Sequence, residues 1–164
     1  MQVLDNFLPE HYHQHLENIF LGPKFKWTYN SGTVFSDKES LTDFQFVHDF
    51  YTPISGRVSD QFHLIDPLID LMNVKCLIRV KANLNTYTEN IVERDYHTDF
   101  DIGGLTAIYY INTNDGYTQF DSGEKIDSVS NRLLIFNSSK LHRGTTTSNS
   151  KSRVVINFNY FSNG

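Results

Sequence analysis

In the run CLIRVKANLNTY, residues 76–87, Cys76, Ile78, Val80, Ala82 and Leu84 alternate with Leu77, Arg79, Lys81, Asn83, Asn85 and Tyr87. A period of two describes a strand with one apolar and one largely polar face. Three more segments read as strands: LTAIYYIN (105–112), RLLIF (132–136) and RVVINFNYF (153–161). Gly-, Asn-, Asp- and Ser-rich turns separate them. Helical signals are confined to the first half. Behind Pro9, the residues Leu8, Tyr12, Leu16, Ile19 and Phe20 recur at helical spacing. A short second helix is expected with Asp66 as N-cap, Pro67 behind it, and Leu68, Leu71 and Met72 as its buried stripe. Residues 24–63 mix aromatic segments with turn formers and are expected to form outer strands and a mobile flap. The expected fold is mostly β with supporting α-helices, an antiparallel sandwich or jelly roll with one or two helices packed on one sheet.

No repeat or long linker divides the 164 residues, so one domain over 1–164 is expected, with a helical and outer-strand part to about 75 and a β core over about 76–161. Apolar residues at 39% and charged residues at 20% fit neither a disordered nor a membrane protein. Thirteen Phe, nine Tyr and one Trp favour strands. A net charge of −5 argues against a broad nucleic-acid footprint. The single cysteine, Cys76, lies on the apolar face of its strand, is expected to be inert, and suits a reducing compartment. The opening MQVLDNFLPEHYHQHL lacks the basic region and apolar run of a signal peptide, and no stretch has the length of a membrane span; a cytoplasmic protein without membrane partners is expected.

Chemistry concentrates in the β half. His97 and Asp99 of YHTDF, with His142 of SKLHRG, supply two imidazoles and a carboxylate. That donor set can occupy one face of an octahedral iron and leave three positions open. Residues i and i+2 of a strand point the same way, so His97 and Asp99 can reach one ion, and His142 joins them only by tertiary closure. Taken alone, H-x-D also fits a surface histidine beside a turn aspartate. Asp101 shares the alternation, but Gly103 and Gly104 behind it place it in a turn or behind the ligands. Arg153 opens an apolar strand on the face it shares with Val155, Asn157 and Asn159. It fits either an anchor for an anionic cosubstrate or an ion pair with Glu93 or Asp95.

With these residues the chain resembles the prolyl-4-hydroxylase-like branch of the Fe(II)/2-oxoglutarate-dependent dioxygenases. RVKANLNTY, YHTDF, LTAIYYIN, DGYTQF, NRLLIFNSSKLHRG and SRVVINFNYF follow the family's order and approximate spacing, and VLDNFLPEHYHQHL resembles its N-terminal helix. The resemblance implies a double-stranded β-helix with iron on His97, Asp99 and His142, and the far carboxylate of 2-oxoglutarate on Arg153. It also implies cosubstrate contacts from Tyr110 and Tyr87, O2 as co-reactant and ascorbate as reductant. Val155 stands where many relatives carry a Ser or Thr that helps hold the cosubstrate, so Tyr110 is expected to compensate. With Asp99 present no ligand position is vacant for a halide, which favours hydroxylation over halogenation.

Three function classes follow: hydroxylation of a protein or peptide side chain, with proline the guess from the branch; the same chemistry on a free amino acid or another small molecule; and a non-catalytic jelly-roll binding module. Persistence of His97, Asp99, His142 and Arg153 together speaks against the last, and the negative charge against a nucleic-acid demethylase. His11, His13 and His15 read as solvent-facing helix residues, and Trp27, Phe44, Phe46, Phe50 and Tyr51 as aromatic core, with the lining of a substrate groove as the alternative. Arg79 and Lys81 are either solvated or partners for an acidic substrate.

Overall fold

The structure, a computed structural model, describes residues 1–32, 41–101 and 103–162. Along the chain run β1 (Gln2–Leu4), α1 (Glu10–Phe20), β2 (Thr28–Asn30), β3 (Gln45–Thr52), β4 (Gly56–Arg57), a 3-10 turn (Phe62–Leu64) and α2 (Asp66–Leu71). The remainder is strand: β5 (Val74–Thr86), β6 (Leu105–Tyr110), β7 (Tyr117–Phe120), β8 (Lys125–Asp127), β9 (Arg132–Asn137), β10 (His142–Arg143) and β11 (Ser152–Ser162). The major sheet has the order β1-β9-β6-β11-β5-β3-β2, with β4 attached to β3, and the minor sheet the order β10-β7-β8. All the pairings between these strands are antiparallel. Two sheets with helices on the outside of one make a jelly roll, as the sequence pattern predicts.

The alternation in β5 and β11 decides what each side of the major sheet meets. Val80, Ala82, Val154, Ile156, Phe158 and Tyr160 join Leu16 and Phe20 of α1, Leu68 of α2 and Phe50 of β3 in one core. A smaller apolar cluster, Ile108, Tyr110, Phe120, Leu134, Phe136 and Val155, lies between the two sheets. The rest of that inner space is polar, and the site occupies it. No helix among the described residues is long and apolar enough to cross a membrane.

Several local expectations are corrected. Asp66 is the first residue of α2 rather than its cap, and Leu71 is exposed while Leu68 and Met72 are buried. Cys76 is exposed, because an extra residue in β5, opposite the step from Asn159 to Tyr160, reverses the alternation and turns Leu77 toward the core. His11 and His15 are exposed, but His13 is buried. Its Nδ1 lies 2.7 Å from the Tyr109 hydroxyl and its Nε2 2.5 Å from Ser130 Oγ. Burial pushes the His13 pKa down, with Glu17 and Glu10 acting in the opposite sense. Asn131, at φ 60°, fastens the N-terminal segment here: its side chain bonds both the N–H and the C=O of Leu8 and accepts from Tyr109. Of the region 24–63, β2, β3 and β4 are strands; residues 33–40 of the expected flap lie outside the described residues.

Candidate metal centre

His97 and Asp99 lie on an extended segment without regular ladder pairing, not on a strand. Isolated bridges hold it: Glu93 opposite Thr145, and His97 opposite His142. Across the second bridge His97 and His142 exchange both backbone hydrogen bonds at 2.9 Å, and the Asp99 N–H donates to Ser138. This pairing is the closure that the spacing alone left open. It puts the two imidazole rings 4.6 Å apart.

The side chains of His97, Asp99 and His142 offer donor atoms that all lie within 4.8 Å of one another. His97 Nε2 is 3.9 Å from Asp99 Oδ1, and His142 Nε2 is 3.8 Å from Asp99 Oδ2. These gaps are too long for hydrogen bonds and suit donors that share an ion at about 2 Å from each. His142 Nδ1 is 2.9 Å from the Lys140 carbonyl, which as acceptor fixes the tautomer and leaves the Nε2 lone pair free. Phe136 packs edge-on against the same ring.

Asp99 is oriented from behind. Thr106 donates to Oδ2 at 2.7 Å, Asn159 to Oδ2 at 3.0 Å and Arg79 to Oδ1 at 3.2 Å. Burial opposes ionisation of Asp99, but His142, Thr106, Arg79 and Asn159 outweigh it and hold the carboxyl below its usual range. Burial pushes His142 the other way from a free imidazole, toward the neutral form a metal needs. The donor set therefore fits a divalent first-row metal such as iron. Asp101 is exposed and accepts from Thr98, away from the cluster.

A cavity of about 310 Å³ opens from these residues along the inner face of β5 and β11 to Arg153. Arg153 is 3% exposed, yet no carboxylate pairs with it among the described residues. Its Nε donates to Ser128 at 2.8 Å and its Nη2 to Thr118 at 3.3 Å. Glu93, weighed from the sequence as its partner, instead accepts from Arg143 and Tyr117. Gly116 leaves the room Arg153 needs, since a Cβ there would lie 2.5 Å from Arg153 Cδ and 2.6 Å from the Thr146 carbonyl.

The two tyrosines differ from expectation. Tyr110 is fully buried and does not itself line the cavity; its hydroxyl donates to Thr118 at 2.8 Å, and the Arg153 guanidinium lies 5.7 Å over its ring. Tyr87 is 54% exposed and absent from the lining, because β5 ends at Thr86; Asn85 takes the cavity-facing position. Thr118 and Ser128, the partners of Arg153, carry no sequence signal of their own. Asn83, Asn85 and Asn157 did carry one, as polar residues alternating with core residues in long strands.

No protein-family model matches the chain, and a search of the curated proteins finds no match. Solved structures do share its fold. A prolyl hydroxylase from Trichoplax adhaerens, in complex with a hypoxia inducible factor oxygen degradation domain peptide fragment, superposes with a TM-score of 0.62 at 16% identity, covering 98% of this chain and 83% of that one. A 2OG-Fe(II) oxygenase family oxidoreductase from Burkholderia pseudomallei gives 0.66 at 9% identity, covering 99% and 85%. The epimerase SnoN from nogalamycin biosynthesis, in complex with Fe3+, α-ketoglutarate and nogalamycin RO, gives 0.64 at 12% identity, covering 98% and 78%. The chain thus has the double-stranded β-helix fold of the 2-oxoglutarate- and Fe(II)-dependent oxygenases. Within that class the prolyl-hydroxylase form is among its matches.

Proposed function

We propose that this protein is a 2-oxoglutarate- and Fe(II)-dependent oxygenase that hydroxylates an unactivated C–H bond. The observation that carries this reading is the buried Arg153, without a counter-ion among the described residues, facing the same cavity as the His97–Asp99–His142 cluster. A buried cation without a counter-ion is strongly unfavourable, and a carboxylate fits the guanidinium fork. Arg153, steadied by Thr118 and Ser128, would take the far carboxylate of 2-oxoglutarate. His97, Asp99 and His142 would hold iron, with Arg79, Thr106 and Asn159 fixing the carboxylate ligand. When bound, the iron couples oxidative decarboxylation of the cosubstrate by O2 to oxidation of the substrate C–H bond. The chain itself orients the partners and walls the reaction from bulk water between two sheets.

A prolyl or other peptide side chain is one substrate reading, supported by the peptide-bound prolyl hydroxylase of the same fold. A small molecule is the second, and the polar lining of the cavity favours it. The test of the reaction class is anaerobic addition of Fe(II) and 2-oxoglutarate. A visible charge-transfer band is expected in the wild type and lost in His97→Ala. Arg153→Ala should weaken cosubstrate binding by about tenfold or more while metal affinity holds. Absence of the band in the wild type rejects the reading.

A further inference from the structure

The inner faces of β5 and β11 form four cross-strand rows: Asn85 with Arg153, Asn83 with Val155, Lys81 with Asn157, and Arg79 with Asn159. In the two outer rows Arg153 is left for the cosubstrate, and the other groups are internally occupied. Asn85 accepts from Arg94, and Arg79 and Asn159 are engaged with Asp99. The two middle rows are not. The amide oxygens of Asn83 and Asn157 are buried out of reach of the cavity, with no hydrogen-bond partner among the described residues, and Asn83 is 5% exposed. Lys81 lines the cavity with no ion pair or hydrogen bond to any described residue. Burial, and then Arg79, lower its pKa, while Asp49 and Asp99 act against them. A half-buried lysine left without a partner in this way is costly unless an anionic ligand completes it.

Charge separates the ligands that could do so. Arg79, Lys81, Arg94 and Arg153 line the cavity, and Asp99 is its one carboxylate among the described residues. Asp43 pairs with Arg94 from outside the lining, and Asp49 is exposed at the rim. A divalent metal and doubly charged 2-oxoglutarate cancel each other, so loading both leaves the positive excess in place. A neutral prolyl side chain would leave it unanswered.

Resting on the oxygenase reading above, we propose that the substrate is a small, net-anionic molecule, with its carboxylate or phosphate on Lys81. Lys81 on this view is a substrate-binding residue. The cavity suits this class: about 310 Å³ must hold both cosubstrate and substrate, near the lower end of small-ligand sites.

The test uses the full chain, metal-free and loaded anaerobically with Fe(II) and 2-oxoglutarate. Calorimetric titration is run with dicarboxylic acids, acidic and N-acylated amino acids, and small phosphate monoesters, each beside its neutral ester or amide. A proline-containing peptide with blocked termini is the further arm. At least one anionic compound should bind the loaded wild type, its neutral counterpart should not, and Lys81→Met should weaken that binding by about tenfold or more. Lys81→Arg should retain part of it, which separates charge from packing. The affinity for 2-oxoglutarate should change by less than about threefold in Lys81→Met. The proposal is overturned if no anionic compound binds, if the peptide binds wild type and Lys81→Met alike, or if Lys81→Met loses 2-oxoglutarate as Arg153→Ala does. Failure of the wild type to bind 2-oxoglutarate would instead reject the reaction class. Lys81-dependent anion binding in the metal-free protein would survive that outcome.

Discussion

The two faces of strands β5 and β11 are built from alternate residues of the same chain segments, yet they carry opposite chemistry. Outward, Val80, Ala82, Val154, Ile156 and Phe158 are buried against α1, α2 and β3 in a dry core. Inward, Arg79, Lys81, Asn83, Asn85, Arg153 and Asn157 line a cavity between the two sheets. The difference teaches that the polar face of an alternating strand need not be the solvent face. The outer face supplies stability through apolar burial, and the inner face gives some of it up to hold open hydrogen-bonding groups for ligands.

The largest test of this division is Phe158→Ala. Removing that ring should lower the unfolding free energy by about 3–5 kcal/mol, read by urea denaturation, while the folded fraction keeps its cosubstrate affinity. A matched loss of affinity would mean the faces are coupled. Gly116→Ala probes the inner face. Its Cβ would displace Arg153 Cδ or the Thr146 carbonyl, so destabilisation of about 1–3 kcal/mol is expected, together with weaker 2-oxoglutarate binding in calorimetry. Unchanged binding would mean that Arg153 does not need the space.

The smallest effect is pH dependence. His13 on the outer side and His142 on the inner side both have pKa values lowered first by burial, so the unfolded chain binds their protons more readily than the fold does. Their contribution is complete above about pH 6.5 and declines as pH falls toward the lowered folded values, by at most about 1.4 kcal/mol per pH unit per group. In metal-free protein, His13→Gln should make the stability–pH curve shallower below that point. An unchanged slope would mean that burial of His13 contributes nothing to the dependence.

Much of the fold was legible because period and turn chemistry are local. The four segments read as strands lie within β5, β6, β9 and β11 to within a few residues, and α1 begins beside Pro9. Where a local rule met a tertiary adjustment, the reading failed. The extra residue in β5 exposed Cys76, and docking of α1 on Tyr109 and Ser130 buried His13. Tyr87 was placed by a motif match, but β5 ends before it and Asn85 faces the cavity instead.

By itself the sequence determined the strands, their two faces, and a supply of ligand-type residues on or beside them, since alternation and donor chemistry are properties of neighbouring residues. Only the tertiary structure decided that His97 and His142 exchange backbone hydrogen bonds, that Thr118 and Ser128 flank an Arg153 with no counter-ion among the described residues, and that Lys81, Asn83 and Asn157 share one cavity wall. Those facts depend on which distant strands pair and in what register, and on the minor sheet closing over the major one. No local pattern in the chain encodes that closure.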